Sequence, residues 1–573
     1  MKRRRRGAVQ SGVGIGSILV ERGVITREQL EEALSLQKET GERLDRTLVR
    51  LGYCGQGDVL KAIGDQFDMP IVDLTEIEPD AEVLGMLPAK LVYKQNCVPI
   101  SRSNGTLRVA TSDPFELSAF DELRLLTGTS IELVLADEED LHRFIREHYG
   151  VAGDTLDALS ASAEFNLDEQ ARLAAADDET KNELEQAQQA SVIKLVNDLL
   201  IEAISERATD IHIEPYEGSL DVRYRVDGVL YKPSMSTSIK RFRNAIISRV
   251  KIMANLNIAE KRKPQDGRIN LRHKGNEYDL RVSIIPMIFG EGVVLRILDK
   301  TSVRFGLDSL GMTQQILTGW DLLIARPHGI LLVTGPTGSG KSTTLYASLN
   351  RIVSEAIKAV TVEDPVEYNL SGVNQIPVNH KIGLTFAAGL RAILRHDPDV
   401  IMVGEIRDKE TADAAIQASL TGHLVFSTLH TNDAPSATTR LLDMGVEPYL
   451  VASSLEGVLA QRLVRRLCKH CKRPVETPEA PLPKAAPELP ATWFETAGCR
   501  ECRNTGFRGR VGIFELFTVS NDIREMIMAH ENAARITERA MRDDLLIRLV
   551  EDGLAKARAG ITTVREVMHA AAT

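Results

Sequence analysis

Residues 330–349 read "ILLVTGPTGSGKSTTLYASL". A short apolar run at 330–333 leads into a Gly-rich turn, and the turn leads into a helical pattern. The turn spells G-x-x-x-x-G-K-S over 335–342, and strand, loop and helix in that order are the context this motif requires. Backbone N–H groups of such a loop and of the following helix N-terminus point at phosphate oxygens. The candidate nucleotide site is therefore Gly335, Pro336, Thr337, Gly338, Ser339, Gly340, Lys341, Ser342 and Thr343. Lys341 has the reach for β- and γ-phosphates, and Ser342 the hydroxyl for Mg²⁺. The fold this predicts is α/β with a parallel sheet.

A phosphate loop needs an acidic partner on a neighbouring strand. "PDVIMVGEIRD" at 398–408 supplies a four-residue buried strand ending at Gly404 and Glu405. Glu405 then sits at the carboxyl end of its strand, where ligands of open α/β sheets bind. "VTVEDPVEY" at 360–368 ends a β-branched strand at Glu363 and Asp364, with Pro365 stopping it. "LTGHLVFSTLHTNDA" at 420–434 reads as a third strand flanked by His423 and His430. Both rings are expected near the nucleotide end, where an imidazole can donate to a γ-phosphate oxygen.

Length and composition bound the rest. At 573 residues the chain exceeds one core and predicts several domains. A formal net charge of -10 argues against a protein that coats nucleic acid. No run approaches the roughly 18 apolar residues of a membrane-spanning helix. The basic start, MKRRRR, loosely mimics a signal peptide, but Gly dominates the adjoining stretch and no A-x-A site appears. It reads as a solvated tail able to brush anionic lipid.

Residues 14–66 hold an internal repeat with a period of 29, in which Leu19 matches Leu48, Gly23 matches Gly52 and Gln37 matches Gln66. Each unit reads as a helix, a Gly cap and a second helix. This domain continues as an α/β segment to about 150. Residues 151–190, rich in Ala, Asp, Glu and Gln, read as a flexible linker. From 191 to 304 a helical stripe precedes alternating strands such as "LDVRYRV", predicting an α+β domain with an antiparallel sheet. The parallel domain occupies 305–573 and ends in helices.

Taken in chain order, at 335–342, 360–368, 398–408 and 420–434, the four motifs resemble those of the ATPases of type II secretion and type IV pilus assembly. In that family they are the Walker A, aspartate box, Walker B and histidine box, and the resemblance covers about 191–573. It implies a homohexamer of RecA-like domains, each preceded by a smaller, flexibly tethered PAS-like domain. It implies catalytic roles for Glu363 and Glu405 beside Lys341, and phosphate contact or sensing by His423 and His430. The family also uses nucleotide-reaching arginines, and the matching positions are Arg281, Arg296, Arg391 and Arg395. Without the family, Arg281 and Arg296 are outward-facing strand residues.

Cys468, Cys471, Cys499 and Cys502 form two C-x-x-C pairs, which in a reducing compartment suggest metal rather than disulfides. They fit the family's metal-binding insertion, here 466–512. Four thiolates favour tetrahedral Zn²⁺ over a redox pair. This insertion resembles secretion and pilus-extension ATPases rather than retraction ATPases, and "EPYLVASSLEGVLAQRLVRRLC" is nearest the type II secretion branch. The N-terminal repeat resembles one that binds cyclic di-GMP in some members, with Arg-Leu-Gly opening each unit. Here the units open Gly14-Ile15-Gly16 and Arg43-Leu44-Asp45, so one Arg and one Gly are missing. Asp45 would repel phosphate, and docking onto an inner-membrane assembly platform is the alternative. The expected protein is a cytoplasmic ATPase, peripheral at the inner membrane through partners only. It powers pseudopilus assembly or, alternatively, pilus extension. A nucleic-acid motor and a non-catalytic nucleotide scaffold are the rivals.

Overall fold

The computed structural model describes residues 14–115, 117–152, 155, 178–299, 306–482 and 492–572. The MKRRRR start and the linker reading for 156–177 lie outside these. The chain forms two compact units, one running to His273 with Asp279–Ile297, the other comprising Lys274–Tyr278 and Leu298–Thr573.

The first unit opens with helices Ile15–Glu21, Arg27–Thr40, Leu44–Arg50 and Gln56–Phe67. The second and fourth start with capping contacts, Thr26 with Gln29 and Gly55 with Asp58. Leu19 and Leu48, in the first and third of these helices, are fully buried. Strands β1 (Cys97–Ser103), β2 (Thr106–Thr111) and β3 (Ser130–Leu135) come next as a three-stranded sheet. The helix Asp178–Ser205 begins inside the stretch read as a linker. Its first half is built from Glu, Gln, Ala and Lys, all strong helix formers, and Leu195, Val196, Leu199 and Leu200 bury its second half. Six strands complete the unit: β4 (Asp210–Pro215), β5 (Leu220–Val226), β6 (Val229–Tyr231), β7 (Gln265–His273), β8 (Asn276–Met287) and β9 (Gly290–Asp299). Their order is β6-β5-β4-β9-β8-β7.

The second unit is built on an eight-stranded sheet. Its strands are β10 (Gly329–Thr334), β11 (Ala359–Glu363), β12 (Val373–Pro377), β13 (Val400–Val403), β14 (Leu424–Leu429) and β15 (Leu455–Leu467). After a separate pair, β16 (Lys472–Val475) with β17 (Trp493–Thr496), come β18 (Phe507–Thr518) and β19 (Leu546–Ile547). The order is β12-β11-β13-β14-β10-β15-β18-β19, parallel through β15 and antiparallel beyond it. Every residue of β10, β11, β13 and β14 is buried. Alternate side chains explain why these strands read as continuous apolar runs: Ile330 and Leu332 enter one core, Leu331 and Val333 the other. Helices cover both faces of a parallel sheet, so neither face is left for water.

Candidate active site

Parallel strands align their carboxyl ends, and the register fixes which residues meet there. Thr334 pairs with Leu429, Val403 with Ser427 and Val362 with Val403. Immediately beyond these ends stand Gly335 of the loop, His430, Gly404-Glu405 and Glu363-Asp364. One edge of the sheet thus gathers the phosphate loop, both acidic motifs and His430.

The loop is closed in on itself. Gly335 has φ +144°, and a Cβ there would lie 2.5 Å from the Gln461 carbonyl oxygen, so only glycine fits. Lys341 opens the helix Lys341–Ile352 and donates through Nζ to the carbonyls of Gly335 and Pro336, 2.9 Å each. Burial pushes its ammonium down to about 8, against the pull of Glu405 and helped by Arg462. The helix has no side-chain cap, which leaves its first turn to receive phosphate. Ser339 Oγ is buried with no hydrogen-bond partner among the described residues, and Ser342 is exposed at the mouth. These features fit a bound nucleotide phosphate, with Lys341 and the loop holding it and Ser342 placed for Mg²⁺.

The two glutamates sit in different surroundings. Glu363 is 4% exposed and held by three donors: Tyr346 Oη to Oε2, Thr361 Oγ1 to Oε1 at 2.6 Å, and Gln375 Nε2 to Oε1 at 3.0 Å. Its neighbour Asp364 lies 3.2 Å from His380 Nε2. Glu405 faces Arg407 Nη2 at 2.5 Å and His430 Nε2 at 3.6 Å. Tyr346 comes from the helix that starts in the loop, so phosphate loop and Glu363 share an element; burial and Glu363 together raise its phenol.

His423 stands at the other end of its strand. It precedes β14, its carbonyl accepts from Gly329 N at 3.2 Å, and its Nδ1 lies 2.8 Å from the Ala418 carbonyl oxygen and 3.1 Å from Thr421 Oγ1. It closes the end of the helix Lys409–Leu420 at the opposite edge. Six strand residues, about 20 Å, separate it from His430. Arg391 and Arg395 also stand away from the loop. Arg391 pairs with Glu410 at 2.6 Å, and Arg395 donates to the Arg391 carbonyl at 2.9 Å. The helix Phe386–Ile393 that carries Arg391 runs back toward the start of β13, which explains their place. In the first unit, Arg281 and Arg296 line a concave site of about 430 Å³ with Arg268 and Asp266. Arg296 Nε donates to Asp210 Oδ1 at 3.1 Å.

Sequence reasoning missed Tyr346, Thr361, Gln375, Arg407, Gln461 and Arg462. Arg407 stands two residues past Glu405, inside the 398–408 motif. Gln461-Arg462 shows in the sequence only as a polar pair inside the apolar strand "GVLAQRLV".

The four cysteines converge, their sulfurs within 4.8 Å of one another. Cys468–Cys499, Cys471–Cys502 and Cys499–Cys502 are each 3.7 Å apart. A tetrahedron with Zn–S bonds of about 2.3 Å has edges of about 3.8 Å, so the donor set fits Zn²⁺. N–H groups of Cys499 and Gly506 point at Cys502 Sγ at 3.2 and 3.1 Å.

In the first unit, a cleft of about 570 Å³ beside the second helical pair is lined by Arg43, Arg46, Arg50 and Lys94, but also by Asp45 and Asp113. Arg43 is engaged by both carboxylates at 2.7 Å.

A family profile described as "Type II/IV secretion system protein" matches residues 185–569, and one described as "MshEN domain" matches 67–155. The type IV pilus assembly ATPase PilB of Myxococcus xanthus is 42% identical over 573 residues, 97% of this chain and 98% of that protein. The type II secretion system protein E of Pseudomonas aeruginosa is 48% identical over 456 residues, 79% of this chain and 90% of its own. Among solved structures, the ATPase DotB of Yersinia pseudotuberculosis aligns at a TM-score of 0.50 and 21% identity, covering 65% of this chain and 92% of that one. No helix among the described residues is long and apolar enough to cross a membrane.

Proposed function

The chain belongs to the type II/IV secretion system protein family, and from that premise we propose that it is a hexameric ATPase powering pseudopilus assembly and protein export by a type II secretion system. The observation that carries this reading is the gathering of Lys341, Glu363, Glu405 and His430 at one edge of a parallel sheet. There the loop and Lys341 bind the phosphates and Ser342 holds Mg²⁺. Glu405 and Glu363 orient the attacking water, and His430 contacts the γ-phosphate end. ATP and water become ADP and phosphate, with positioning and charge stabilisation supplying the catalysis. By the family pattern, Arg281, Arg296, Arg391 and Arg395 are the nucleotide-reaching arginines. Zn²⁺ held by Cys468, Cys471, Cys499 and Cys502 fixes the insertion.

The protein works in the cytoplasm, held at the inner membrane by the assembly platform rather than by a span of its own. For the N-terminal domain we favour docking onto that platform over cyclic di-GMP, because Arg43 is already occupied by Asp45 and Asp113. The 42% identity to PilB along nearly the whole chain favours a second reading, a motor for type IV pilus extension.

The test is ATP turnover of the full chain with and without the cytoplasmic domain of the cognate type II platform protein, with the pilus platform protein and DNA in parallel. Stimulation by the type II platform alone is expected. Stimulation by the pilus platform alone selects the second reading, and by DNA alone overturns both. Lys341→Ala is expected to abolish turnover, and retained turnover refutes the site.

A further inference from the structure

Arg462, on β15 beside the phosphate loop, is 4% exposed. Buried guanidinium groups are normally paired with a carboxylate, because an isolated buried charge is strongly disfavoured. Here no carboxylate among the described residues comes within salt-bridge distance. Its Nη2 donates to the Asn432 carbonyl at 3.0 Å and its Nη1 to the Gln461 carbonyl at 3.2 Å, while Nε has no partner among the described residues. The space a Cβ on Gly335 would fill is 3.2 Å from Nη1. One end of the fork thus backs the first glycine of the phosphate loop, and the other holds the turn just past His430.

That turn is gripped a second time. Glu515, buried on the adjacent strand β18, accepts from Ala434 N at 2.7 Å and from Leu549 N at 3.3 Å. Within the turn, Thr431 Oγ1 donates to the Asp433 carbonyl at 2.8 Å. Two buried charged groups of opposite sign on neighbouring strands therefore clamp residues 432 and 434, fixing where the chain leaves His430. No paired carboxylate accounts for the charge at 462; its hydrogen bonds go to the backbone carbonyls of 432 and 461.

We infer that Arg462 is a positioning residue for hydrolysis: it locks the His430 turn to the floor of the phosphate loop, so that His430 and the γ-phosphate site move as one body. The inference rests on the ATPase reading and on the phosphate contact of His430. Gln461 contributes from the same strand by accepting from Thr344 Oγ1 at 2.6 Å on the loop helix.

The experiment compares the full chain with R462M, H430Q and the double variant, measuring kcat and KM for ATP together with melting temperature. Met removes the fork and leaves the Asn432 and Gln461 carbonyls without its donors, so R462M is expected to melt below the parent and, assayed where it is still folded, to lose about tenfold in kcat at little change in KM. H430Q is expected to lose a similar factor, and the double variant to fall within about twofold of the slower single, because both act through one turn. R462K keeps the charge and tests the fork alone, with the same loss expected. Full turnover in R462M or R462K, or losses that multiply in the double variant, overturns the proposal while leaving the His430 reading intact. Full turnover in H430Q overturns the His430 reading and the proposal with it.

Discussion

Raising the pH from 7 to 9 is expected to weaken binding of a non-hydrolysable ATP analogue about tenfold. The cause is the Lys341 ammonium, enclosed by the Gly335 and Pro336 carbonyls at 2.9 Å and pushed by burial down to about 8 in the nucleotide-free protein. Phosphate oxygens favour the charged form, so the pKa in the complex lies above that of the free protein. Below about pH 8 the amine is charged in both states and affinity is full; as pH rises through 8 the free protein loses a proton that binding must restore. With a free-state value of about 8, roughly one site in eleven lacks the proton at pH 7 and about ten in eleven lack it at pH 9. The ratio is about tenfold in Kd, or about 1.4 kcal/mol. Titration calorimetry at pH 8 in two buffers of different ionisation heat should register about half a proton taken up per site. Lys341→Met should bind weakly and without this pH dependence. Equal affinity at pH 7 and 9, with heats independent of buffer, would show that the enclosed amine stays charged and that the burial argument is wrong.

Three further outcomes rest on single contacts. Cys499→Ser should reduce bound zinc from about one ion per chain to none, read by elemental analysis. The same variant should lower the melting temperature, since metal binding couples to folding of the insertion. Tyr346→Phe removes one of three donors to Glu363, and kcat should fall about tenfold with ATP affinity nearly unchanged, measured by steady-state kinetics beside analogue binding. Lys556→Met strands Asp552, buried and paired with it, and denaturant unfolding should show a loss of about 3–5 kcal/mol.

The parallel core was legible because both of its faces are buried. Runs such as Val400 to Val403 carry no polar residue, and each ends in a residue with chemistry. The motif order alone did not give the sheet order β12-β11-β13-β14-β10-β15, yet it was enough for Glu363, Glu405 and His430, since any parallel arrangement brings carboxyl ends together. The same logic places His423 at the other edge: the residue before a parallel strand lies away from the phosphate loop. Composition is ambiguous at 178–190, where Glu, Gln and Ala suit a helix as well as a linker. Arg391 and Arg395 were placed by family pattern, and a pattern records which residues recur, not which edge a helix brings them to.

What the sequence could not disclose is carried by long-range pairing. Gln375 reaches Glu363 across 12 positions, Gln461 reaches Thr344 across 117, and Glu515 reaches Ala434 across 81. Each is an ordinary polar residue in its own stretch and takes its role from the strand beside it. β15 shows the consequence most directly. Its Gln461 and Arg462 break an apolar run in a strand that lies next to β10, so both end up around the phosphate loop, one toward its helix and one toward the His430 turn. A polar pair inside an otherwise buried strand is unfavourable for folding, and here it is placed where the loop glycines leave room for it. The disfavoured residues of this core are therefore the ones to test for function.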